Sequence, residues 1–302
     1  TGITHCKAMC GRDCPKPCRV IICVILQPQP AGRHAGTGRY RSRLQLLRQE
    51  AVAVSRGYQY DFSINSPYVY DVENRERKAR TMTAVLADYL PEPLDHYDLL
   101  NVGGSAGIID NYLANYFHRV IGIDIDEPAI SHAQATFQRD NLEFRLADAL
   151  DLPFADDSFD IVVCSHVYEH VPDPYKMFSE IRRVLKQDGI CYFSAGNRLM
   201  WNEPHYDLPL LSVLPRPLAH IYIRLTGKAS HYHEKHLSYW GLKTLVKDFS
   251  CTDYTARLVT EPGKYFTDYM VSPGSLKARI AATVLKLAYW ACPGYIWVLQ
   301  KQ

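Results

Sequence analysis

Between residues 98 and 200 the chain alternates between two hydrophobic periods. Short apolar runs at 99–102, 120–124, 142–145, 159–165 and 190–195 are rich in Val, Ile and Leu. Their length and composition suit strands buried on both faces. Helical patterning fills the gaps, from residue 108, at 127–139 and at 175–185. This alternation predicts an α/β fold, a doubly wound and mostly parallel sheet whose ligands sit at the carboxyl ends of the strands. Residues 155–158 (ADDS) and 187–189 (QDG) read as turns, and nothing between 51 and 98 reads as a convincing strand. Near the far end Leu276, Ile280, Val284 and Leu287 recur at helical spacing over 275–291. Cys292, Pro293 and Gly294 break that helix before a last strand at 295–299. The first 55 residues carry no sustained period and are rich in Arg, Pro, Gly and Cys. They are expected to be disordered, or an extension foreign to the native protein.

The most informative stretch is the passage from the run at 99–102 into residues 103–107 (GGSAG) and then a helix. Glycines between a strand and a helix let a backbone approach a ligand closely. The next apolar run ends in an acid, Asp124, placed to accept from a ribose diol at the tip of a second strand. Three chemistries compete. A dinucleotide fingerprint wants G-x-G-x-x-G, but counting from Gly103 puts Ser105 and Ile108 where its second and third glycines belong. A nucleophile elbow, G-x-S-x-G, fits literally with Ser105 but needs several strands upstream, which the pattern lacks. The third is an S-adenosylmethionine (SAM) site, and the downstream order of elements favours it.

That order runs through ADALDLPFADDSFDIVVCSHVYEHV (147–171) and IRRVLKQDGICYFSAGN (181–197). With the glycine turn and Asp124, it resembles the class I SAM-dependent methyltransferases, in their small-molecule, type 11-like branch. The resemblance is strong over 98–197 and extends from residue 70 to the end. It implies a seven-stranded Rossmann-like sheet with a lid insertion after strand five, and SAM as cofactor. Gly103, Gly104, Ser105 and Gly107 would pass close to the methionine part. Asp124 and Ile125 would hold the ribose. Asp148, with the Ala149 backbone, would meet the adenine, and Ser165 would floor the site. Asn101 and Ser105 depart from the resemblance, standing where the family carries an acid and a further glycine. Asp126 competes with Asp124 as a ribose ligand or helix cap.

Methyl transfer is an in-line displacement that demands alignment of an acceptor and exclusion of water. His166 and His170 follow strand four, and either is a candidate general base. His170 has the competing role of packing against the sheet. The insertion at 197–236 carries Trp201, His205, Tyr206, His233 and His236, candidate walls for the acceptor. Residues 231–236 (HYHEKH) invite a metal, but the spacing is not that of a zinc helix and nothing supplies a fixed helix, so no metal is expected.

Composition narrows the picture further. The 302 residues are 47% hydrophobic and 22% charged, ordinary for a globular protein. The net charge of +2 is uneven: residues 1–50 carry nine Lys/Arg against two Asp/Glu, which leaves an acidic body and argues against a nucleic-acid substrate. Cys6, Cys10, Cys14, Cys18 and Cys23 crowd the start, but three-residue gaps do not match the usual metal pairs. The other four cysteines are scattered, as in a reducing cytoplasm. No run reaches the ~20 apolar residues that span a bilayer. The helix at 275–291, with Lys277, Arg279 and Lys286 and no acid, is expected to pack on the core or to rest peripherally on anionic lipid. The body at 56–302, including 197–236 and the helix and strand at 275–300, is read as one domain. Its expected activity is methyl transfer to a small-molecule or lipid- or glycan-linked acceptor. The alternatives are a non-catalytic SAM- or nucleoside-binding regulatory subunit and, third, a hydrolase using Ser105.

Overall fold

The computed structural model describes residues 60–272 and 274–302. The 1–55 segment, with its cysteine cluster and its expected disorder, lies outside the described residues.

Helix starts follow the sequence closely. Asp71 accepts from the Asn74 amide (3.1 Å) and opens α1 (Val72–Tyr89); a cap of this kind contributes ~1 kcal/mol. Ala79, Met82, Val85 and Leu86 form the buried stripe of α1. The glycine turn leads directly into α2 (Ile108–Leu113). Asp126 caps α3 (Glu127–Thr136) and Asp173 caps α4 (Pro174–Val184), each with a proline in the first turn, where the missing N–H costs nothing.

The strands β1 (Asp98–Val102), β2 (Arg119–Asp124), β3 (Leu142–Leu146), β4 (Phe159–Ser165) and β5 (Leu185–Gly196) pair in parallel in the spatial order β3-β2-β1-β4-β5. Two further strands complete seven: β6 (Phe249–Asp253) forms the edge, and β7 (Gly294–Lys301) lies antiparallel between β5 and β6. Successive residues point to opposite faces. Leu100 and Val102 join Ile121, Val162 and Phe193 beneath α4 and α6 (Tyr239–Leu245), while Leu99 joins Val120, Ile161 and Val163 beneath α1 and α2. The chain order reverses between β1 and β4, and that switch point is where such sheets bind ligands.

Two expectations are corrected and two further segments take a definite form. Residues 187–189 do not form a separating turn: β5 already begins at Leu185 and runs through them, with Gln187 and Asp188 exposed. The helix at 127 stops at Thr136, short of 139. The 197–236 segment is more than a loop. A short hairpin pairs Asn202–Glu203 with Leu208–Pro209, α5 spans Arg216–Leu225, and Leu208, Leu211, Ala219, Ile223 and Tyr232 form a small core of their own. The C-terminal helix α8 (Leu276–Leu287) follows a short α7 (Thr255–Thr260) and buries no residue fully. Val284 and Leu285 touch the core, but Leu276, Ile280 and Leu287 are 70%, 56% and 80% exposed, so its apolar stripe is wider than the surface it packs on. No helix among the described residues is long and apolar enough to cross a membrane.

Candidate active site and cofactor pocket

A cavity of about 550 Å³ opens at the carboxyl ends of β1, β2 and β4, within the range of small-molecule sites. The glycine turn forms one wall. Gly103 and Gly104 donate to the Ile123 carbonyl (2.9 and 2.8 Å), which ties the turn to β2. Gly103 has φ +79° and a Cβ there would meet Val167 at 2.5 Å, so both backbone and space demand glycine. Gly103 and Ser105 face the cavity. Gly104 and Gly107 do not; they pack behind the turn, Gly104 against Asp110 and Gly107 against Phe144 and Ala133. Ser105, at φ +51°, donates its backbone N–H to Asp124 (2.8 Å). Among the described residues its hydroxyl has no histidine partner, so the hydrolase arrangement is not formed.

The two acids after β2 differ in their partners. Asp126 is buried and accepts from the Ser63 amide (2.6 Å), the Ser63 hydroxyl (2.9 Å) and the Ala129 amide (3.2 Å). It is the cap of α3 and the anchor of the helical turn Phe62–Asn65. Asp124, Ile125 and Asp126 all line the cavity. One Asp124 oxygen holds the glycine turn and the other accepts from the Asp126 amide (3.0 Å), while burial pushes its carboxyl up. Asp148 is not among the cavity walls. It accepts from the Leu150 amide (2.8 Å), and its neighbours Ala147 and Ala149 face the cavity instead. Asn101 is buried below the turn and donates to Asp110 (2.8 Å). Asp110, a buried acid from α2, has its Oδ2 against Gly104 and Gly122. Burial pushes Asp110 up to about 7.

Ser165 ends β4, His166 follows it, and both line the cavity. His166 sits at φ +56°, with Nε2 3.2 Å from the Ser194 hydroxyl and Nδ1 3.3 Å from Glu169. His170 also faces the cavity, its ring 5.2 Å from Phe62 and 4.8 Å from His205. Burial pulls His170 down, against the neighbouring Glu169 and Glu234 carboxylates. From the 197–236 segment, Pro204 and His205 reach the cavity. Trp201 is 72% exposed, and Tyr206 packs on Tyr232 in the small core. Residues 231–236 alternate out and in: His231, His233 and Lys235 are exposed, whereas Tyr232, Glu234 and His236 are buried. That two-residue period is extended chain, so a helical metal motif is excluded there. His236 sits behind His205, with Glu203 between them at 3.2 and 2.5 Å. Burial alone would raise Glu203, but the two imidazoles outweigh it and hold the carboxyl at about 2.

Sequence reasoning missed α1. Asn74, Arg75 and Lys78 from its first turns, with Tyr68 just before it, form the wall opposite the strand ends. Burial pulls Arg75 down, and burial with the adjacent Arg75 charge pulls Lys78 down to about 8. The cap Asp71 followed by an amphipathic run was the available signal.

Residues 100–193 match the methyltransferase-domain family. A Mycolicibacterium smegmatis protein named as an S-adenosylmethionine-dependent methyltransferase is 35% identical over 113 residues, 37% of this chain and 43% of its own length. A ubiquinone biosynthesis O-methyltransferase of Coxiella burnetii is 33% identical over 102 residues, covering 33% of this chain and 44% of that one. The chain thus spans less than half the length of these relatives. Among solved structures, a complex between the Haloferax volcanii Trm112 methyltransferase activator and a protein assigned as a methyltransferase contains a similar chain. Its TM-score is 0.51 at 18% identity, over 80% of this chain and 98% of that one, and it shares the fold. Residues 100–193 are thus similar to a methyltransferase domain, and the relatives they match include proteins named for S-adenosylmethionine-dependent methyl transfer.

Proposed function

We propose that this protein transfers the methyl group of SAM to a small-molecule or lipid- or glycan-linked acceptor. The observation that carries the reading is that Gly103, Ser105 and Asp124 share one cavity with His166, His170 and His205. Asp124 takes the ribose hydroxyls, the turn takes the methionine part, and Ala147 and Ala149 flank the adenine. Arg75 supplies a cation for the methionine carboxylate. The acceptor enters between the β4 end and His205, under a lid formed by 197–236. With a hydroxyl acceptor, its oxygen lone pair forms the new bond to the methyl carbon. The S–C pair returns to sulfur, and the proton passes to His166.

The exposed apolar residues of α8, beside Lys277, Arg279 and Lys286, support peripheral membrane contact and a lipid-linked acceptor. Calorimetric titration with SAM and its demethylated product, then a turnover screen over hydroxyl acceptors, tests the function. Absence of SAM binding overturns it; binding without turnover favours the regulatory-subunit reading. Flotation on anionic vesicles, compared with a Lys277→Glu, Arg279→Glu, Lys286→Glu variant, tests the membrane contact.

A further inference from the structure

Behind the acceptor end of the cavity lies a set of ionisable groups larger than methyl transfer requires. Glu169, Glu203 and Glu234 are all buried, and His166, His170, His205 and His236 surround them. Buried carboxylates have to be paired or to coordinate a cation. Part of this set is satisfied: Glu203 accepts from both His205 and His236. Part is not. The side chain of Glu169 is fully buried, and among the described residues its Oε2 has no hydrogen-bond partner. The same holds for Nδ1 of the mostly buried His170, whose nearest carboxylate oxygen, on Glu234, lies 3.9 Å away. A lone pair left buried in this way costs about 1–3 kcal/mol.

We propose that Glu169, His170 and His205 bind a divalent transition-metal cation of the zinc class at the acceptor end of the cavity. Their donor atoms all lie within 4.8 Å of one another. Metal–ligand bonds of about 2.0–2.2 Å need donors roughly an ångström closer, a matter of side-chain torsion. Two imidazoles and one carboxylate form a donor set that zinc accepts with a fourth position open. His170 and His205 both line the cavity, so that position faces it. Glu203 holds Nδ1 of His205 at 2.5 Å and leaves Nε2 as the donor, the carboxylate–histidine arrangement that orients metal ligands. A second candidate set, Glu203, His205 and His236, is the weaker one, because one Glu203 oxygen already serves both imidazoles. The open position would take an acceptor oxygen and favour its deprotonated form, the proton leaving through His166. This role rests on the methyltransferase reading; the cation site itself does not.

The test is a cobalt(II) titration of the chelator-stripped, full-length protein, read by visible absorption. The expected result is one equivalent with nitrogen and oxygen ligation, distinct from any thiolate band of the N-terminal cysteines. Glu169→Gln and His205→Ala should each weaken this equivalent by about 100-fold or more, and Glu203→Gln by about 10- to 100-fold. His236→Ala should keep it. SAM affinity, measured on the same samples, should change by less than about twofold in all four variants. A wild-type spectrum with thiolate ligation alone, or with no bound cobalt, overturns the site without reference to any variant. Retention in Glu169→Gln with loss in His236→Ala overturns the assignment of ligands. Failure of SAM to bind wild type, with cobalt binding intact, overturns the methyltransferase reading and leaves the site standing.

Discussion

The two halves of the cavity are built on different principles. The half assigned to the cofactor is mostly backbone, with the Asp124 carboxylate and the Arg75 guanidinium: Gly103, Ser105, Asp124 and Ala149 follow the ends of adjacent strands within 47 positions of sequence. The acceptor half is side chains. Lys78 comes from α1, His166 and His170 follow β4, and His205 comes from the insertion. The first half has a fixed shape, its turn amides tied to the Ile123 carbonyl and to Asp124. The second holds several titratable groups close together, and its chemistry depends on their mutual charge. Affinity for the cofactor and rate of transfer are therefore expected to separate on mutation.

The largest effect expected is on the acceptor side. His166→Ala should lower turnover by about 10²-fold or more, the usual loss of a general base, while SAM affinity stays within about twofold. Steady-state kinetics beside calorimetry would show this, and equal losses in both would erase the division into halves. On the cofactor side, Asp124→Ala removes a charged acceptor worth about 2–3 kcal/mol and should weaken SAM binding by roughly thirty-fold or more. Unchanged affinity in a folded variant would remove Asp124 from the ribose.

A smaller effect concerns the buried acid beneath the turn. Asp110 is pushed up to about 7, above its ordinary 3.8. Between those values the folded state holds more protons than the unfolded one, so stability falls as pH rises from about 4 to about 7 and is level beyond. Asp110→Asn should flatten that slope in cofactor-free denaturant titrations. Parallel curves for the two proteins would mean that Asp110 is ionised at no cost. Least of all should change in Trp201→Ala. Its side chain lies on the surface, away from the cavity, and both turnover and SAM affinity should stay within about twofold, as surface substitutions usually do. A large loss of turnover would mean that the insertion closes further over the acceptor.

The same division explains what the sequence revealed. Strand ends, glycines and Asp124 are legible because they are local: a period of two, a turn, an acid at fixed spacing. Even there, the difference in partners between Asp124 and Asp126 depends on Ser63, 63 positions away. The Asn101–Asp110 hydrogen bond depends on how α2 packs against β1. Arg75 and Lys78 stayed hidden because helical periodicity marks a buried stripe, not which polar residues look into a cavity. Trp201, Tyr206 and His233 carried the right chemistry for an acceptor wall. However, the small core at Leu211 and Ile223 draws Tyr206 inward, and the alternation after residue 231 turns His233 out.

The position of β7 bears on how this protein is made. It lies between β5 and β6 yet follows both in sequence. As the chain leaves the ribosome, β6 has no partner strand. The outer edge of β5, with Cys191, Tyr192 and Phe193 destined for the core, is open to its surroundings. An unpaired apolar edge is a template for misassociation, and non-local pairing closes slowly. The turn, Asp124 and the end of β4 all emerge before this stage, so the cofactor side is complete in sequence while the sheet is still unfinished. For this topology, the vulnerable interval in biogenesis falls after the cofactor-binding strands have been synthesised, and it ends when β7 inserts.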